Sequence, residues 1–226
     1  MKLFWWNRVP NLGDSLSWLL LAGYGNAIEW ASPEEAEWVG IGSVLGWFDG
    51  FTGTVWGSGR GGDELPPHDL TRATVLALRG RETQKLVKGG DGAVLGDPGL
   101  LITDFIDPDP QGYTVVVPHF QDQDRMFGFY DATGHVHVDV TRSAAEGILA
   151  IARSSRVISS SLHGIVLADA FGIPRMLDYY DGSLGGGFKF KDYASVMGAF
   201  EPDIWYSARP ERVDAVRTEL RECLSH

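Results

Sequence analysis

A helix that is apolar on every side cannot lie on a protein surface, and the stretch from Leu162 to Phe171 has that character, broken only by His163 and Asp169. Ser159, Ser160 and Ser161 precede it and offer N-caps, while Gly172 and Pro174 stop it. Arg156 to Ser159 before it and Arg175 to Leu177 after it read as strands. A buried helix between two strands needs a sheet to bury it, so the fold class is α/β.

The rest of the chain follows the same grammar. Lys2 to Trp6 reads as the first strand, Asn11 to Asp14 form a corner, and Asp14 or Ser15 caps a helix running through Leu21. Further strands are expected at Val39 to Ile41, Thr54 to Trp56, Thr74 to Leu78 and Ala93 to Leu95. Asp107, Pro108, Asp109 and Pro110 then forbid helix and discourage strand pairing, which sets a boundary between residues 1–106 and 107–226. Beyond it come strands at Tyr113 to Val117 and Val136 to Val140, a helix from Arg142 to Arg153, a glycine loop from Gly182 to Gly187, and a terminal amphipathic helix from Pro210 to Leu224.

Charge and composition exclude some functions. Thirty acidic against nineteen basic residues give a formal charge of −11, which argues against nucleic acid as a partner because phosphate backbones are held by clustered Lys and Arg. The apolar run Trp18 to Gly23 is too short to span a bilayer, and Lys2 leads straight into a strand, so a cytoplasmic protein without a signal peptide is expected. Cys223 stands alone and is given no function. His135, His137 and Asp139 share one strand face, a spacing that can bind metal, but no further ligand pair follows and a solvent-facing strand explains them better. No metal is expected.

His163 falls in the first turn of the buried helix, immediately after a strand, at the sheet edge where α/β proteins bind ligands. The helix N-terminus favours an anion there, although the imidazole can equally serve to bridge the strand end. Arg79 ends a strand and precedes a helix near Arg81 to Thr83, so its guanidinium can grip a carboxylate or phosphate, or form a surface ion pair. Asn11, Gly13 and Asp14 follow the first strand without the spacing of a dinucleotide fingerprint or a P-loop; Asp14 suits orienting or deprotonating a hydroxyl, or plain helix capping. Gly42, Ser43, Gly57 and Gly59 can let backbone approach a substrate or make ordinary tight turns, His119 puts a second imidazole at a strand end, and Lys189, following the Gly185 to Gly187 loop, can neutralise phosphate or stand as a solvated loop lysine. Asp192 fits a helix cap or a partner holding Lys189. Trp5, Trp6, Trp18, Trp47 and Trp56 suit the core better than sugar stacking.

Ser160, Ser161, Leu162, His163 and Gly164, followed by Ile165 and by Ala168 to Pro174, closely resemble the polysaccharide pyruvyl transferase family. Matching stretches occur in the same order: Asn11, Gly13 and Asp14; Gly40 to Ser43; Trp56 to Gly59; Arg79, Gly80 and Thr83; Asp97 and Pro98; Pro118 and His119; Lys189, Asp192 and Tyr193. The resemblance thus covers nearly the whole chain. It departs at Ser161, where some relatives carry arginine, and in its short length.

The resemblance implies two Rossmann-like domains similar to a compact GT-B glycosyltransferase fold, an active site in the cleft between them, no required metal and no cofactor. It implies phosphoenolpyruvate as donor and a sugar or lipid-linked oligosaccharide as acceptor, and it leaves room for peripheral association with a membrane-bound glycan assembly system. On that reading His163 contacts phosphate and serves as an acid, Arg79 and Lys189 hold the anionic groups, Asp14 handles the acceptor hydroxyl, and Asn11, Gly42, Ser43, Ser161 and His119 line the substrate site. A nucleotide-sugar glycosyltransferase and a non-catalytic carbohydrate-binding protein are the rival readings.

Overall fold

The computed structural model describes residues 1–64, 66–179 and 187–225. Its elements run β1 (Lys2–Phe4), α1 (Leu12–Gly23), β2 (Glu29–Trp30), β3 (Trp38–Val39), β4 (Thr54–Ser58), β5 (His68–Asp69), β6 (Thr74–Leu78), α2 (Arg81–Gln84), β7 (Val87–Lys88) and β8 (Val94–Leu95). After a 3₁₀ segment at Pro98–Asp104 follow β9 (Thr114–Val117), α3 (Gln123–Tyr130), β10 (Val136–His137), α4 (Ala144–Ala152), β11 (Arg156–Ser159), α5 (Leu162–Phe171), β12 (Arg175–Leu177), α6 (Phe188–Met197), β13 (Trp205–Tyr206) and α7 (Pro210–Glu222).

Among the described residues, the strands before the proline-rich break form a six-stranded sheet in the order β2-β1-β3-β4-β6-β8, with β5 and β7 as a separate pair, and those after it form a five-stranded sheet, β10-β9-β11-β12-β13. Every pairing in the first sheet is parallel, and in the second only β12 with β13 is antiparallel. Parallel strands buried on both faces read as continuous apolar runs, which is why Val115, Val116 and Val117 are all inaccessible. Each sheet begins by stepping one way and then reverses, between β1 and β3 in the first and between β9 and β11 in the second. Those reversals open a crevice at the carboxyl ends of the strands.

The sheets are joined by packing as well as by chain. One apolar cluster runs from Leu3, Trp56 and Ala77 to Val115, Ile165 and Val166. Helix α5 is buried at every position from Leu162 to Phe171, and Gly172, at φ +70, ends it as the sequence requires. Asp169 is tolerated inside because Arg175 donates to both its oxygens, at 2.9 and 3.1 Å, and the Tyr193 hydroxyl donates at 3.0 Å. Helix α7 packs back on the first half, where Arg217 donates to Leu100 O at 3.0 Å and Arg221 pairs with Asp104.

Three local expectations change. Helix α1 is capped by Asn11, whose Oδ1 accepts from Gly13 N at 2.8 Å, so it starts before Asp14. The strand expected over Val136 to Val140 is only two residues long, because Asp139 turns the chain by accepting from Thr141 N at 3.0 Å. Lys189 belongs to α6 instead of a loop. The glycine loop expected from Gly182 lies outside the described residues up to Gly187.

Candidate active site

The two sheet reversals face one cavity of about 330 Å³. Trp6, Asn11 and Asp14 reach it from the segment after β1, and Gly42, Ser43, Val44 and Trp47 from the segment after β3. The second half supplies His119 and Phe120 after β9, and Ser161, Leu162 and His163 after β11. Lys189 enters from α6. Of the sequence-derived candidates, Asn11, Asp14, Gly42, Ser43, His119, Ser161, His163 and Lys189 thus share one space, and Arg79 does not.

Arg79 is wholly enclosed. Its Nε donates to Asp192 Oδ2 at 2.9 Å, Nη1 to Ser43 Oγ at 2.7 Å and Nη2 to Arg60 O at 2.7 Å. With its donors so engaged, the guanidinium does not offer an anion the expected two-pronged grip. It stands behind the wall and orients Ser43 instead. Asp192, expected as a cap or as the partner of Lys189, accepts from Arg79, from Thr83 N at 2.8 Å and from Thr83 Oγ1 at 2.6 Å. These bonds weld α6 to the first half, and glycines make room for them: a Cβ on Gly59 would lie 2.2 Å from the Arg79 guanidinium carbon, and one on Gly80 would lie 2.0 Å from Asp192 O.

Lys189 is 7 % exposed and forms no ion pair among the described residues. Burial, reinforced by the Arg79 charge, pulls its ammonium down to about 8, while Asp122 and Asp14 pull the other way. Asp14 answers it across the cavity. Burial pushes its carboxyl up to about 7, with His163 and Lys189 opposing. Its Oδ2 accepts from Asn11 Nδ2, so the cap of α1 also sets the direction of this carboxyl. Gly42, at φ +126, lies close against Asp14, since a Cβ there would stand 2.9 Å from Oδ1.

His119 is half-buried and pushed down to about 4, first by burial and then by the Lys189 charge, so it stays neutral near pH 7. Its backbone N–H donates to Ser160 Oγ at 2.8 Å. Ser161 is the N-cap residue of α5 and makes no side-chain capping bond, which leaves its hydroxyl and the positive end of the helix turned to the cavity. His163 follows it, 9 % exposed, with Nδ1 against the Gly13 backbone: a Cβ on Gly13 would sit 2.1 Å from that nitrogen.

Sequence reasoning gave no role to Asp97, whose carboxylate stands behind His163 with Oδ2 3.5 Å from Nε2. The signal was the Asp97-Pro98 pair among the matching motifs, but only folding brings it to α5. Phe120 was also missed; its ring lies 5.4 Å from Trp6 and 4.6 Å from His119. Among the tryptophans, Trp56 is fully buried, whereas Trp6 and Trp47 line the cavity. His137 stacks on Phe127 at 4.7 Å, Asp139 is held by Thr141 and Arg142, and among the described residues no group of three or more His, Cys, Asp or Glu could hold a metal ion.

The geometry is that of an α/β protein whose cavity, lined by apolar and charged side chains together, lies where two strand-order reversals meet. Residues 69–177 match the model of the polysaccharide pyruvyl transferase family. Among individual proteins, the chain is 29 % identical to the succinoglycan biosynthesis protein ExoV of Rhizobium meliloti (strain 1021), an alignment covering 94 % of this chain and 68 % of that one. It is 32 % identical to the uncharacterized protein L143 of Acanthamoeba polyphaga mimivirus over 54 % of this chain and 47 % of that protein. No solved structure gives a significant match. No helix among the described residues is long and apolar enough to cross a membrane.

Proposed function

We propose that the chain is a ketal-forming pyruvyl transferase that moves the enolpyruvyl carbons of phosphoenolpyruvate onto two hydroxyls of one sugar, within the synthesis of an exopolysaccharide or cell-surface glycan in the cytoplasm. The supporting observation is a buried lysine without an ion pair among the described residues, set in the same cavity as the N-terminus of α5. A buried ammonium without a counter-ion is costly, and a helix N-terminus adds to the demand for negative charge. A small polyanion meets both. The family model matched by residues 69–177 and the succinoglycan biosynthesis in the name of ExoV support pyruvyl transfer to a glycan.

In this reading the chain consists of two Rossmann-like halves, 1–106 and 107–226, arranged as in a compact GT-B fold, with α7 crossing back onto the first. Lys189, the Ser161 hydroxyl and the first turn of α5 hold the phosphate, and His163 contacts it. His163 gives a proton to the methylene carbon of the donor, and positive charge develops at the neighbouring carbon. A sugar hydroxyl attacks there and gives its proton to Asp14. Phosphate then leaves, and the second hydroxyl closes the ketal, its proton passing to the departing phosphate. A base serves best when it titrates near working pH, and the position of Asp14 near 7 suits that task. Arg79 takes no part in direct binding; it fixes Ser43 and α6. No metal and no cofactor enter these steps.

Incubation with phosphoenolpyruvate and a panel of lipid-linked and nucleotide-linked sugars should give a product heavier by one pyruvate ketal, with phosphate released only when donor and acceptor are both present. Thermal stabilisation by a nucleoside diphosphate and none by phosphoenolpyruvate would replace this reading with nucleotide-sugar glycosyl transfer. Glycan binding without phosphate release would leave a binding protein.

A further inference from the structure

Asp97 is the N-cap of the 3₁₀ segment that follows β8, and it is completely enclosed. Its two oxygens have different fates. Oδ1 accepts from Gly99 N at 2.9 Å and closes the cap. Oδ2 is buried with no hydrogen-bond partner, and the atom it faces, His163 Nε2, is likewise buried with none, 3.5 Å away. An acceptor and a donor, each without another partner in a low-dielectric interior, face each other about 0.7 Å beyond the length of a charge-assisted bond. Buried polar atoms are seldom left without a partner, and here two such atoms face each other.

We propose that Asp97 is the positioning residue of His163: its Oδ2 holds the imidazole proton on Nε2, so that Nδ1, against Gly13, is the ring nitrogen that deals with the cavity. The inference rests on the reading of His163 as a group that contacts the donor, and it adds where the proton sits and what fixes it there. When an anion fills the cavity, Nδ1 takes a proton and donates toward it. The imidazolium then lies between two negative groups, and the Nε2–Oδ2 separation closes, in keeping with the habit of catalytic hydrogen bonds to tighten only in the complex. The other charged or titratable groups around the ring are Asp14 from α1, His119 after β9 and Lys189 from α6; none of them faces Nε2 in a hydrogen bond.

The two-oxygen arrangement supplies a clean test. In Asp97→Asn the amide oxygen still caps Gly99, while the amide nitrogen now faces His163 and can only donate. The cap survives, and the imidazole must turn its lone pair to Nε2 and carry its proton on Nδ1. Long-range ¹H–¹⁵N spectra of the free protein should show the Nε2–H tautomer for His163 in the wild type and the Nδ1–H tautomer in Asp97→Asn. Thermal stability should stay nearly unchanged, and turnover should fall about 10²-fold, the scale of losing a positioned acid. Wild-type spectra with the proton on Nδ1, or an unchanged tautomer in Asp97→Asn, would overturn the proposal. The spectra need no substrate, so a chain inactive on phosphoenolpyruvate would refute the proposed function and leave the coupling of Asp97 to His163 to be judged on its own result.

Discussion

Arg79 and Lys189 are both basic, both buried, and near enough for the Arg79 charge to act on Lys189, yet the fold treats them in opposite ways. Arg79 is paired with Asp192 from 113 positions away and has its donors engaged by Asp192, Ser43 and Arg60. Lys189 is left without an ion pair among the described residues and gives up its proton near 8. A protein that balances one buried charge and leaves its neighbour unbalanced separates a structural part from a part waiting for a ligand. His163 falls on the unbalanced side with Lys189. Burial of a basic side chain is therefore not by itself a sign of substrate contact; the completeness of its partners decides.

The contrast can be broken first at its structural end. Asp192→Ala strands the Arg79 guanidinium in the interior, and loss of one partner of a buried pair costs about 3–5 kcal/mol; chemical denaturation should register it whether or not substrate is present. His163→Ala should keep the fold and lose at least about 10²-fold in turnover, as for a positioned acid, and equal activity would remove His163 from the mechanism. Lys189→Met should go the other way from Asp192→Ala in stability, because it removes an unpaired buried charge. It should also weaken phosphoenolpyruvate binding by about 10-fold or more, the scale of one hydrogen bond to a charged group. A Lys189→Met protein less stable than the wild type would erase the distinction.

The smallest effects concern pH. On the proposed reading Asp14 acts ionised and Lys189 charged, so kcat/KM should rise through about 7 and fall through about 8. Asp14→Asn should remove the rising limb. Stability carries the opposite sign at Asp14: above its ordinary value of 3.8 the unfolded chain ionises while the native carboxyl stays protonated, so the folded state binds more protons and stability falls between about 4 and 7. Asp14→Asn should flatten that decline in denaturation midpoints measured across the range.

What the sequence revealed was mainly local. The buried helix α5, its serine approach and its Gly172 stop could be read because each depends on neighbours within a turn or two. The described strands before and after Pro108 pair in separate sheets. The start of α1 was read late because Asn11 caps through an oxygen that any corner asparagine carries. Two-residue strands such as β2 and β13 hold too little pattern to show. The site was legible as a membership list but not as a wiring plan. Eight of its residues could be named, whereas the pairings that distinguish Arg79 from Lys189, and Asp97 from an ordinary cap, join positions 66 to 113 residues apart and exist only after folding.

Lys189, Asp192 and Tyr193 occupy one face of α6, three and four residues apart, and each answers to a different part of the molecule: the cavity, Arg79 of the first half, and Asp169 inside the second. A short helix travels as a rod, so a ligand that tugs the ammonium also loads the two anchor points behind it. Redesigning the cavity for a bulkier anion by shifting this rod would loosen the joint between the halves, whereas trimming side chains opposite it would not. On the proposed reading, selectivity would drift more readily around Trp6, Trp47 and Phe120, which line the same cavity from other elements.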